Sequence, residues 1–180
     1  MRKQDIRTYT FSDDDRLFFD ANIWLYIYGP LLSQQDVKFS STYARALQKI
    51  RNAQSHLFID ALVLSEFINT YARLEYRQRF ANTYPTFKRF RKSPDFKSVA
   101  QDIANNAKRI VRLCKRCDLP LLSLMDILDE YAQGTADYND QLIAEICLAN
   151  DFILVTHDAD FSQFNHLNLL TANQRLLNAP

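Results

Sequence analysis

At 180 residues, 47% hydrophobic and 13% aromatic, the chain has the apolar content of one folded domain and not of a disordered segment. Its net charge of +1, its two glycines and its three cysteines exclude a Gly-rich phosphate loop and fit a reducing compartment rather than a disulfide framework. No apolar run nears the roughly 18 to 20 residues that span a bilayer, and the charged start through Arg7 lacks the apolar core of a signal peptide, so the expected location is the cytoplasm, with no membrane partner.

Residues 1–15 are polar, include Asp13-Asp14-Asp15, and read as an N-terminal extension or short extra element. Leu17 to Phe19 reads as a strand buried on both faces and closed by Asp20. Asn22 to Tyr28 reads as a short helix stopped by Gly29-Pro30. A helix is predicted over Ser40 to Ala53, with Tyr43, Ala44, Leu47 and Ile50 at helical spacing, then a strand over His56 to Asp60. A long helix from about Ala61 to Asn82 carries Leu64, Phe67, Ile68, Tyr71 and Leu74 on one side, and Glu66 beside them.

Tyr84 to Pro94 reads as a loop holding Lys88-Arg89-Phe90-Arg91-Lys92, and Asp95 to Arg116 as a helix. Leu119 to Leu122 is the third predicted strand, at a sheet edge because of Pro120. Ser123 caps a helix to Tyr131, which Gly134 ends. Asp137 or Asn139 caps the helix Asp140 to Asn150. Phe152 to Thr156 is the clearest strand, and Leu167 to Leu170 a last short one. Strands alternating with helices imply right-handed crossovers and a mostly parallel sheet covered on both faces. Residues 1–180 are expected to form one such domain.

Six acids stand out: Asp20, Glu66, Asp137, Asp140, Asp158 and Asp160. Two sit where a buried strand would end and two where a helix would begin, the places where open α/β sheets put their chemistry. Each alone has a plain reading. Asp20 can cap a helix, Glu66 can lie on a helix surface, Asp137 and Asp140 can complement a helix dipole, and Asp158 and Asp160 can form an Asx turn. Together they would repel unless a cation neutralised them, which points to a divalent metal and hydrolysis or transfer at phosphate. Asn22 offers an amide beside Asp20, and Thr156 points a hydroxyl to the same edge.

The stretches FFDANIW, LVLSEFIN, ADYNDQLIAEICLAND and ILVTHDADF resemble the PIN-domain nucleases, including the VapC-type toxins of toxin–antitoxin systems. They extend from about Leu17 to Leu170. The resemblance implies a PIN-like three-layer α/β fold with a mostly parallel central sheet flanked by helices. It implies a Mg²⁺- or Mn²⁺-dependent endoribonuclease working by metal-assisted hydrolysis. By the family pattern, Asp20, Glu66, Asp140 and Asp158 are the catalytic and metal-holding residues. Asn22, Asp137, Thr156 and Asp160 support them. An RNA substrate, a cognate antitoxin and a homodimer are the partners implied. Two readings stand beside it: a non-catalytic PIN-like module that binds nucleic acid or protein, and an RNA-processing nuclease outside toxin–antitoxin systems.

From Arg73 to Arg116 the chain carries 13 Lys and Arg against 3 Asp and Glu. Within this basic middle, Arg73, Arg77, Lys88, Arg89, Arg91 and Lys92 are the candidate RNA contacts, interleaved with Tyr76, Phe80, Tyr84, Phe87 and Phe90. The alternative is a solvated basic surface with its aromatics in the core, or a dock for an acidic protein segment. Residues 84–116 form a basic loop-and-helix insert in the compact family pattern. Cys114 and Cys117 form a single CxxC, read as incidental helix cysteines rather than a zinc or redox pair, and Cys147 as core. Strand alternation points His157 away from Thr156; His56 and His166 read as structural or exposed.

Overall fold

The computed structural model describes residues 2–117, 123–134 and 136–179. The strand expected over Leu119 to Leu122 lies outside them.

The chain starts with β1 (Arg2–Asp5) and β2 (Arg16–Phe19), then α1 (Ala21–Tyr28) and α2 (Gln34–Asn52). Next come β3 (His56–Ile59), α3 (Ala61–Glu75), the single turn α4 (Phe87–Phe90), α5 (Phe96–Leu113) and β4 (Lys115–Arg116). The last part holds α6 (Leu124–Tyr131), α7 (Tyr138–Ala149), β5 (Ile153–Val155), β6 (Asn168–Thr171) and α8 (Gln174–Asn178). Among the described residues the strands form one sheet in the order β1-β6-β5-β2-β3-β4, with every neighbouring pair parallel. The fold is therefore the expected three-layer α/β architecture.

Parallel neighbours need long crossovers, and helices supply them. The chain steps from β2 to β3 and β4 on one side, then returns to β5 and β6 on the other. Right-handed crossovers with that reversal put α1, α2, α3 and α5 on one face and α6 with α7 on the opposite face. Their packing follows: α1 meets α2 and α3, α3 meets α5, and α6 meets α7. Leu17, Phe18 and Phe19 are fully buried, as expected of a central strand covered on both sides. Register sets Phe19 beside Val155 and Phe18 beside Phe58, so the residues after β2, β3 and β5 emerge together at one edge. That edge is the switch point where chain direction reverses, the usual crevice of such sheets.

Several boundaries differ from expectation, each for a local reason. The helix expected from Ser40 begins at Gln34, because Ser33 caps it by accepting the Asp36 N–H at 3.1 Å. The long helix ends as α at Glu75 and widens into a π turn over Tyr76–Phe80 instead of running to Asn82. The expected loop from Tyr84 contains α4, capped by Thr86. The helix expected to Arg116 stops at Leu113, and Lys115–Arg116 pair with Phe58–Ile59 as β4. The Cys117 N–H donates to the Ile59 carbonyl at 2.8 Å, continuing that pairing. Cys114 and Cys117 thus flank a strand and are not helix cysteines; all three cysteines keep their thiols. Gly134 closes the turn after α6 at φ +70°, a conformation that suits glycine.

Part of the N-terminal segment becomes structural. β1 adds an edge strand to β6, and Ile6 behind it is buried. No helix among the described residues is long and apolar enough to cross a membrane.

The basic middle is built on its own aromatic cluster. Phe90 is fully buried, ringed by Tyr76, Phe80, Tyr84, Phe87 and Phe96 at centroid distances of 4.5 to 6.4 Å. The guanidinium groups of Arg73 and Arg91 lie over the Phe87 ring at 4.9 and 5.9 Å. These rings are therefore spent on one another, and the interleaving read as base-stacking surface is a small core. Phe90→Ala is expected to cost about 3 to 5 kcal/mol in urea unfolding. Lys88→Ala, on the exposed side, is expected to stay within about 0.5 kcal/mol of the parent.

Candidate active site

The site begins with Asp20, at the junction of β2 and α1. It holds the N-cap position of α1 with extended backbone, yet its side chain caps nothing. The carboxylate is 5% exposed. Its Oδ2 accepts the Thr156 hydroxyl at 2.7 Å and the amide of Asn22. Thr156, fully buried after β5, in turn accepts the Asp158 N–H at 3.0 Å and the Asn22 amide at 3.2 Å. Asn22 Oδ1 accepts the His157 N–H at 3.1 Å. This closed network ties β2, α1 and the segment after β5 around one carboxylate. The capping alternative for Asp20 does not hold: its Oδ2 serves the Thr156 hydroxyl and the Asn22 side-chain amide.

The other acids gather by different routes. Asp140 stands in the first turn of α7 and Glu66 on the second turn of α3, both partly buried. Asp137 caps α7, accepting the Asn139 N–H at 2.8 Å, and is exposed. Asp158 is exposed and accepts the Asp160 N–H at 2.9 Å, opening a 3₁₀ turn over Ala159–Gln163. So the plain readings of Asp137 and Asp158 as turn and cap residues are met, without removing either from the cluster. Asp137 and Asp160 also line a cavity of about 820 Å³ with Tyr131, Gly134 and Gln163.

Electrostatics show that the acids act on one another. Burial pushes the Asp20 carboxyl up to about 7, against the Thr156 hydrogen bond and with help from Glu66 and Asp158. Burial also lifts Asp140 to about 7, reinforced by the charges of Asp20, Asp158, Asp137 and Glu66. Glu66 is raised by burial and then by Asp137 and Asp158. None of these five carboxylates pairs with Lys or Arg among the described residues. The donor set is all oxygen, hard and negative, which suits Mg²⁺ or Mn²⁺. Among the described residues no three Asp, Glu, His or Cys side chains close into a ready cage for an ion. An entering cation would draw the carboxylates inward against their mutual repulsion.

His157 is structural. Its Nδ1 is 2.7 Å from the Tyr43 hydroxyl, and its ring lies 4.0 Å from that of Phe39. Asn173, sixteen residues further along the chain, donates to its carbonyl at 2.6 Å. Asp60 is a buried acid that a reading of the chain passes over. It ends β3 as Asp20 ends β2, is 3% exposed, and caps α3 by accepting the Val63 N–H at 2.8 Å. The shared pattern of an apolar run closed by Asp, FFD and FID, was the available signal. Asp60 sets the start of the helix that carries Glu66.

The chain belongs to the PIN domain family, whose model matches residues 17–167. Solved structures that share its fold include the following two. One is a chain from the crystal structure of VapBC2 from Rickettsia felis bound to a DNA fragment from their promoter. It is 17% identical, covers 87% of this chain and 98% of that chain, and has a TM-score of 0.58. The other is PAE2754 from Pyrobaculum aerophilum, 14% identical, covering 98% of this chain and 96% of that chain with a TM-score of 0.54. No curated protein sequence matches.

The raised acids carry a pH signature. An unfolded Asp releases its proton near pH 4, whereas folded Asp20 and Asp140 hold theirs to about 7. The folded state then binds more protons between these values, so stability falls as pH rises from about 4 to about 7 and levels off above. Asp140→Asn removes one such charge. In calorimetry with a chelator present, its Tm should exceed that of the parent at pH 8, by about 2 to 4 °C per kcal/mol relieved. The difference should vanish near pH 4; an equal difference at both pH values would contradict this electrostatic account.

Proposed function

We propose that the protein is a Mg²⁺- or Mn²⁺-dependent endoribonuclease that hydrolyses RNA phosphodiester bonds, and the toxin of a type II toxin–antitoxin pair. The observation that carries this reading is the set of unpaired, mutually repelling carboxylates around a clamped Asp20 at the switch point of a PIN fold. Asp20, Glu66, Asp140 and Asp158 would hold the metal. Bound there, a divalent cation would lower the pKa of water and balance charge on the phosphate.

The chain's own residues have separable tasks in this reading. Thr156 and Asn22 fix the Asp20 carboxylate and keep its Oδ2 oriented. Asp140 and Glu66, partly buried, contribute charge that a bound cation would relieve near neutral pH. Asp137 and Asp160 line the adjoining cavity and support the cluster from its rim. Arg73, Arg77, Lys88, Arg89, Arg91 and Lys92 are all exposed and would neutralise RNA phosphates. The likeness to the VapBC2 chain supports an antitoxin partner. A homodimer and a cytoplasmic location complete the proposal.

A binding module without turnover is the second reading; the exposed cations of the basic middle would hold a phosphate backbone with or without cleavage. Cleavage assays decide between them. The parent should cut single-stranded RNA in Mg²⁺ or Mn²⁺ and stop in EDTA. Asp20→Asn and Asp140→Asn should cut about 100-fold more slowly or worse, while retaining the fold. Thr156→Val, which loosens only the support of Asp20, should lose about 10- to 100-fold. RNA binding with no metal-dependent product, or variants as fast as the parent, would favour the module.

A further inference from the structure

A second recess lies beside the acids. It meets the cluster at His157, has a volume of about 640 Å³ and lies between α1, α2 and the segments that follow β5 and β6. Tyr26, Phe39 and His157 line it as an aromatic floor, with Tyr26 5.6 Å from Phe39 and 5.3 Å from His157. The floor is rigid. Tyr43 holds the His157 ring and itself accepts the Ala172 N–H at 3.1 Å.

The recess shares a wall with the cluster. His157 follows Thr156, its N–H is taken by Asn22, and Tyr26 stands one turn beyond Asn22 on α1. A chain whose phosphodiester lies at the acids would therefore present its neighbouring unit here.

Its rim is cationic. Lys38 and Arg175 are exposed and meet no acid among the described residues. Other charges that face the recess are already engaged: Arg7 by Asp5 at 2.8 Å, and Asp36 by the Leu32 N–H at 3.1 Å. Gln35, on the same wall, has an exposed amide able to read a base edge. Aromatic rings beside unpaired cations suit a nucleotide, which offers a flat base and a phosphate. A purely apolar peptide would leave the cations idle, and an acidic one would leave the rings idle.

We infer that this recess is a nucleotide subsite, taking one unpaired nucleotide next to the scissile phosphodiester, with its base on Tyr26 and Phe39 and its outer phosphate at Lys38 and Arg175. The inference rests on the nuclease reading. Only a base free of pairing can be splayed into such a recess, so the subsite selects single-stranded segments. It gives the protein a second determinant besides the exposed cations of the basic middle.

The test has two arms. In the first, Asp140→Asn protein is titrated with nucleoside 5′-monophosphates in EDTA and followed by NMR. Saturable shifts at Tyr26, Phe39 and His157 are expected, with affinity reduced roughly tenfold by Lys38→Ala with Arg175→Ala. Shifts confined to residues 73–92, no saturation, or equal displacement by a poly-glutamate peptide would overturn the proposal. In the second, the parent cleaves short RNAs carrying one abasic residue at each position around the cut. Cleavage efficiency should fall roughly tenfold at one position beside the cut, and Phe39→Leu should abolish that sensitivity. Equal cleavage at all positions would overturn it. If no RNA is cut at all, the nuclease reading fails and the first arm still decides the recess.

Discussion

Five carboxylates act on one another at one edge of this sheet, and among the described residues no Lys or Arg pairs with any of them. A fold shaped for stability alone would quench such charge with a basic side chain, as Arg79 quenches Glu75 at 3.1 Å elsewhere in the same chain. Here burial and like charge instead lift Asp20 and Asp140 to about 7. The charge is also framed with care. Thr156 and Asn22 use neutral hydrogen bonds to orient Asp20 without cancelling it. A neutral frame around uncancelled charge leaves the compensation to something that arrives from outside.

The scaffold explains how acids so far apart in sequence come together. A parallel sheet aligns the ends of its strands, and the reversal between β2 and β5 leaves a crevice there. Asp20 and Asp158 come from the two sides of that crevice. Glu66 and Asp140 come from helices on opposite faces of the sheet, which bring them to its edge. Two recesses flank the cluster, one lined by acids and one by aromatics and cations. The basic middle is separate. It stands on the small core around Phe90 and presents cations at its exposed surface.

The fold class was legible because Leu17-Phe18-Phe19 and Phe152-Ile153-Leu154-Val155 are short apolar runs of strand length that alternate with helical patterns. Four of the acids could be named from their places at strand ends and helix starts, and Asn22 and Thr156 as groups near Asp20; their closed hydrogen-bond network is seen only once β2 and β5 are in register. Less visible were features fixed by long-range pairing. Lys115–Arg116 continues a helical pattern by sequence, and only the neighbouring β3 turns it into a strand. Arg2–Asp5 has no apolar alternation, yet β6 offers it an open edge. The aromatics of the basic middle suggested a binding face because composition cannot tell whether rings point outward or toward Phe90. The roles of Asn173 and of the Tyr26–Phe39 recess depend on neighbours more than ten residues away.

The central claim is that this uncompensated charge is a cation site. Calorimetric titration of the purified protein with Mn²⁺ near pH 7.5 tests it most directly, independent of any RNA. The account predicts saturable binding that releases protons from the raised carboxyls and is lost in Asp140→Asn. Binding that never saturates, or that survives unchanged in that variant, would contradict it.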